Sequence, residues 1–281
     1  MGFSVNTNTG AMAALQALST TNRGLATVQD RINTGLNVAS TKDDSAKYTI
    51  AQTLRGNLGD MKAVTSSLNN AKSVTDVAVA GVEQISDLVN QMKSKALEAS
   101  DAGLDQPSRD AIASDLTALK SQVNTIITSS DFNGTNLLLS TSASGTVSAL
   151  QSVASGATPL AVANQGLDTA FAAGTVGAAG GAITLGTAAA ATTLNTDLGT
   201  FQTAVKTSLS TLGSASRTID GQLKFTSKLS DVVESGIGNL VDADLAKESA
   251  KLQALQVKQQ LGLQALSIAN QAPQSIMSLF R

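Results

Sequence analysis

Residues 57–100 read NLGDMKAVTSSLNNAKSVTDVAVAGVEQISDLVNQMKSKALEAS. Small and apolar side chains recur through this stretch at alternating spacings of three and four: Met61, Val64, Leu68, Ala71, Thr75, Ala78, Val82, Ile85, Val89, Met92, Ala96 and Ala99. That spacing keeps one face of an α-helix turned toward partner helices. No proline interrupts it, so the stretch predicts a single helix roughly 65 Å long at about 1.5 Å per residue, longer than a small domain is wide.

Working outward, DAGLDQPSRDA reads as a break and restart, with Asp105 or Gln106 at the cap and Pro107 tolerated in the first turn. Ile112, Leu116, Leu119, Val123 and Ile126 give the next stripe, which ends at SSDFNGTNLLL. There Asn133 and Gly134 supply the positive φ angles of a tight hairpin turn. From about Ser140 to Ala191 the composition shifts to Ser, Thr, Ala and Gly, with glycines at 174, 177, 180, 181 and 186. This is the signature of a flexible surface loop, with TVSAL and AITL as short strands of hairpins. Helical spacing returns at Leu194, Leu198, Phe201, Val205, Leu212, Ile219, Leu229 and Val233. Gly236 and Gly238 are expected to break it, and a last helix starts near Asp242 or Asp244. The fold class expected is mainly α, with long antiparallel helices forming a rod and a small β-hairpin element.

Composition narrows the chemistry. The 281 residues include no Trp, His or Cys, 3 Pro and 2% aromatics, a palette that packs long helices better than it fills a thick core. Without His or Cys, His-dependent triads, thiol nucleophiles and ordinary zinc sites are excluded. The net charge of -2 gives no field for nucleic acid or acidic lipid. The run GTVGAAGGAITLG lacks the lysine of a phosphate loop. Asp242 and Asp244 start like a calcium loop, but Lys247 and Gln253 stand where Gly and Glu are required, so they read as helix-start acids. Asp43 and Asp44 are likewise first-turn acids rather than a catalytic pair, because adjacent helical residues do not face one another. No catalytic, cofactor or metal residues are expected, and no enzyme activity.

Both ends are uncharged: nothing charged precedes Arg23, and nothing charged lies between Lys258 and Arg281. The N-terminus has neither the basic start nor the continuous apolar run of a secretory signal, so none is expected to be cleaved. The C-terminal stretch is too broken by Gln and Ser to span a membrane. The N-terminal segment has a stripe at Leu15, Leu18, Leu25, Ile32 and Leu36. A helical wheel puts Val241, Leu245, Leu252, Leu255, Leu263 and Leu266 on one stripe of the last helix, which the N-terminal helix is expected to cover as a coiled coil. Val257, Leu261 and Ile268 form a second stripe on nearly the opposite side. A helix buried within a large monomer would cover both stripes, but the chain offers no thick core for it. Other copies of the same chain are therefore the expected cover. Between the stripes lies an uncharged polar face, Gln260, Gln264, Ser267 and Gln271, with Gly262, Ala265 and Ala269 on the remaining side.

VNTNTGAMAAL, RINTGLNVASTKDDSAKYTIAQTLR, DFNGTNLL and DADLAKESAKLQALQVKQQLGLQALSIANQAPQSIMSLFR resemble the terminal patterns of bacterial flagellins. The resemblance covers roughly residues 1–140 and 193–281. It implies an inner coiled-coil domain built from residues 1–42 and 238–281, an outer helical domain from 43–139 and 193–237, and a short variable region at 140–192 too small for a third domain. It also implies a self-assembling filament subunit for swimming, located outside the cell and exported largely unfolded by the flagellar type III apparatus. Its partners would be a C-terminal export chaperone and the filament cap and hook-junction proteins. Gln260, Gln264, Ser267 and Gln271 would then face the filament's channel. A hook-filament junction protein is the near alternative, and a membrane-active type III translocator the distant one; the latter would need a longer apolar hairpin or a basic interfacial face.

Overall fold

The computed structural model describes residues 7–140, 146–152, 158–176 and 181–279. Six helices and two short antiparallel strand pairs make up its regular structure among these residues, apart from one 3-10 turn at Gly174–Val176. The chain divides into two compact units, Gly59–Ser230 and Met1–Leu58 with Asp231–Arg281.

In the larger unit, helix α2 (Ser45–Ala99) supplies, from Gly59 onward, the seam on which the others pack. Every position of its three-and-four spacing, from Met61 to Ala99, is buried. The helix starts before the expected residue 57 because Asp44 caps it, its Oδ1 accepting the Lys47 amide at 3.1 Å. Asp43 is not in the first turn either. Its Oδ2 takes the Ala39 and Ser40 amides at 3.2 and 2.9 Å. The Ser40 amide and hydroxyl hold its carboxyl below the usual carboxylate range.

Arg109, on helix α3 (Gln106–Ser129), seals the far end of α2: its Nε and Nη2 donate to the carbonyls of Ala99 and Asp101 at 3.1 and 2.9 Å. A cation there satisfies carbonyls that the helix leaves orphaned. Ile112, Leu116 and Val123 of α3 are buried against α2, and Leu119 and Ile126 pack at the margin. The chain then turns through strands β1 (Asp131–Phe132) and β2 (Thr135–Asn136), with Asn133 and Gly134 at φ 52° and 76°. Asn136 is buried and fastens this turn to α3 by donating to the Ile127 carbonyl at 2.8 Å.

The described residues of the Ser/Thr/Gly-rich excursion do not form a loose surface loop. Strand β3 (Thr146–Ala149) pairs with β4 (Leu160–Ala163), Val147 opposite Val162. AITL is not a strand. Its Ile183 and Leu185 are buried in the same core as Val162, Leu167, Val176 and Phe171, the last on the short helix α4 (Leu167–Ala172). Phe171 packs on Phe201 of helix α5 (Ala188–Val241), ring centroids 4.7 Å apart. These apolar residues are spaced singly, so a composition reading averages them away, yet each covers the helices beneath it. Lys120 is also buried here and donates to the carbonyls of Val176 and of Gly181, the latter at 2.8 Å. Gly177 and Gly180 lie outside the described residues.

In the smaller unit, helix α1 (Thr9–Thr34) is opened by Asn8, whose side chain accepts the Ala11 amide at 3.0 Å, and closed by Gly35 at φ 72°. α5 does not break at Gly236 and Gly238. Helical glycine costs only about 1 kcal/mol, and buried Ile237 and Val241 hold the last turns against Val38 and Ala51. The break falls at Asp242–Asp244, where the Asp244 carboxylate caps helix α6 (Leu245–Leu279) through the Ala246 and Lys247 amides, both at 3.1 Å. The two connectors clasp each other: Asn37 donates to the Val241 carbonyl at 2.7 Å and Ala243 to that of Gly35 at 2.9 Å.

Candidate assembly surface

α1 and α6 lie antiparallel. Leu255 stands beside Gly24, Leu18 beside Gly262 and Ala269 beside Gly10. Among the residues of α6 whose burial is described, the partly or fully covered ones are Glu248, Leu252, Leu255, Gln259, Gly262, Leu266 and Ala269, an unbroken three-and-four spacing. On α1 the matching set is Ala11, Ala14, Leu18, Thr21, Leu25, Val28 and Ile32, with Gly24 and Arg31 alongside. Each helix thus offers one coiled-coil seam at about 3.5 residues per turn.

The two expected stripes include five residues that the structure puts outside this seam: Leu15, Leu245 and Leu263 are 57%, 50% and 54% exposed, and Leu36 and Val241, beyond α1 and at the end of α5, pack with Val38 and Ala51. Leu15 and Leu263 each follow a seam residue, Ala14 and Gly262, by one position, and so stand on its flank. Leu245 lies in the first turn of α6, past the end of α1. The reading followed large side chains, whereas the seam is largely built of small ones. A Cβ on Gly262 would come within 3.3 Å of Leu18, so glycine there sets how closely the helices approach. Gly262 and Ala269, assigned to the remaining side, belong to the contact. Leu18, Leu25, Ile32, Leu252, Leu255 and Leu266 are all partly covered along it.

Three polar ties run along the pair. Asn8 donates to the Ala269 carbonyl at 2.7 Å, Gln259 to Asn22 at 2.8 Å, and Arg31 faces Glu248 at 3.7 Å. The asparagine and glutamine contacts were missed, although Asn22 inside an apolar stripe is the kind of signal that marks them.

The back of α6 has no cover. Val257, Leu261 and Ile268 are 55%, 58% and 68% exposed, and Gln260, Gln264, Ser267 and Gln271 are exposed beside them. Apolar side chains bared along one side of a helix are what an interaction face looks like. No helix among the described residues is long and apolar enough to cross a membrane.

The chain matches the family model for the bacterial flagellin N-terminal helical region over residues 5–143 and that for the C-terminal helical region over 192–280. It is 45% identical to flagellin FljK of Caulobacter vibrioides over 99% of this chain and 98% of that one. It is 35% identical to a flagellin of Brucella melitensis over 99% of each. Its fold resembles the crystal structure of Bacillus cereus flagellin, with a TM-score of 0.51 at 20% identity, over 57% of this chain and 88% of that one. With both terminal regions matched and near-complete coverage of its relatives, the chain belongs to the bacterial flagellin family.

Proposed function

We propose that this chain is a structural subunit of the bacterial flagellar filament and that the back of α6 is where further copies of it pack. The observation that carries the reading is the uncovered row Val257, Leu261 and Ile268 on a helix whose other side is already occupied by α1. Burying such side chains against a neighbour is worth about 1.5–3 kcal/mol each, and in a polymer the gain repeats at every subunit. Gln260, Gln264, Ser267 and Gln271 beside that row face the channel. Uncharged polar groups keep its wall wet without holding passing chains of either charge. The partners at export are a chaperone over the C-terminal segment and the flagellar type III apparatus, and at the ends of the polymer the cap and hook-junction proteins.

The test is Ile268→Asp in seeded polymerisation. A carboxylate against apolar surface is costly to bury, so polymer yield should fall steeply while the circular dichroism of the monomer stays unchanged. Normal filaments from Ile268→Asp would sink the reading.

A further inference from the structure

Arg31 and Glu248 are the only charged residues among the covered positions of the α1–α6 seam. Their geometry is poor for an ion pair meant to stabilise. Arg31 Nη1 lies 3.7 Å from Glu248 Oε1, and the same oxygen takes Lys251 Nζ at 2.5 Å. Arg31 Nε and Glu248 Oε2 are buried without a hydrogen-bond partner among the described residues. A pair of a buried carboxylate and a partly buried guanidinium with unsatisfied atoms commonly gives less than well-packed apolar residues of the same volume would. Something other than stability therefore has to account for it.

We propose that Arg31 and Glu248 determine the register in which the two ends of this chain pair. The apolar residues of the seam do not define a single alignment. Shifting α6 by one heptad, so that Gly262 meets Ala11, sets Leu255 against Leu18 and brings half-exposed Leu245 opposite Val28, where it would be covered. The apolar residues alone accept that arrangement. The charges oppose it, because the same shift carries Glu248 from Arg31 to Leu25, leaves it with only the Lys251 ammonium that travels on its own helix, and strips the partly buried guanidinium of its carboxylate. The pair acts as a single buried polar position acts in a coiled coil, by penalising the alternatives. The geometry stands apart from the assembly reading, on which only the consequence rests: a slipped pair would present Val257, Leu261 and Ile268 to neighbours at the wrong height.

The absence of cysteine makes the test direct. A Cβ at residue 262 lies 3.9 Å from that of Leu18, within disulfide range, so Leu18→Cys with Gly262→Cys reports the native register. Ala11→Cys with Gly262→Cys reports the slipped one. Both are made in the full chain, in the parent and in an Arg31→Met, Glu248→Leu background, and cross-links are measured in monomer and in sedimented polymer. The parent should give the native cross-link alone. In the apolar background the ratio of slipped to native should rise at least tenfold, with the native product still present to show that the pair forms. An unchanged ratio would mean that the connector hydrogen bonds at Gly35 and Val241, with the ties at Asn8 and Asn22, hold the register without the charges, and would overturn the proposal. Lack of the native cross-link in the parent, in monomer and polymer alike, would overturn it as well. A parent that cross-links natively but does not sediment counts against the assembly reading alone.

Discussion

The larger unit and the α1–α6 pair are both built from long helices with the same three-and-four spacing, yet they differ in what they bury. Around α2 the seam is enclosed by α3, α5 and the excursion, so that Leu68, Ile85, Met92, Leu116 and Leu198 are buried completely. Along α1, Val28 is the one buried residue, and among the residues of α6 whose burial is described, Glu248 is the only one. One seam between two helices covers too little apolar surface to offset the entropy of ordering them. The larger unit is self-sufficient; the pair gains its missing burial only from neighbours.

That contrast can be broken by substitution. Leu68→Ala should lower the unfolding free energy of the monomer by about 2–5 kcal/mol, whereas Leu255→Ala, on the α6 seam, should change it by less than about 1 kcal/mol and be felt only on polymerisation. Urea denaturation of both variants decides the matter, and equal losses would erase the distinction. Next in size is Arg109→Met, which strips the carbonyl cap from the end of α2. It should cost about 1–3 kcal/mol in the same assay, with no loss expected from a matching change at Arg23 on α1.

Limited proteolysis sharpens the comparison without mutation. In the monomer both ends should be trimmed to a resistant piece close to residues 45–235, and in the polymer they should be protected. Monomer as resistant as polymer would contradict the account.

A smaller effect is expected at Lys120. Burial holds its ammonium below the ordinary lysine range. The unfolded chain therefore keeps that proton to higher pH than the folded one, and the disadvantage of burying the charge lifts as pH rises through the folded pKa. Lys120→Met should remove that alkaline gain, seen as a flatter stability profile above neutral pH. A profile identical to that of the parent would show that the amine is not desolvated as the structure implies. Smallest of all is Gln264→Ser, on the exposed polar face, for which polymerisation should match the parent.

The long helices were legible in the sequence because their partners cover a continuous face, and a covered face writes its period into the residues. Asn133–Gly134 was legible because positive φ at two successive positions admits few residue types. The excursion was not, since Val162, Leu167, Phe171, Ile183 and Leu185 reach the core one at a time from irregular backbone and leave no period. α5 was cut short at Gly236 because propensity was weighed without the packing of Ile237 and Val241. On the candidate surface, the uncovered row on α6 could be read as a second stripe. The seam itself was misassigned at Leu15, Leu245 and Leu263, because glycine and alanine bring two helices together without standing out in a count of large apolar side chains.

The hydrogen bond from Asn8 to the Ala269 carbonyl joins residues 261 positions apart. The α1–α6 pair is thus made from residues that leave the ribosome at widely separated times. A product interrupted anywhere before α6 holds an α1 with nothing to pair with and lacks the row at Val257, Leu261 and Ile268 altogether. Assembly through this surface would then read the progress of translation: only a chain translated through α6 carries both halves of the piece that lets it join.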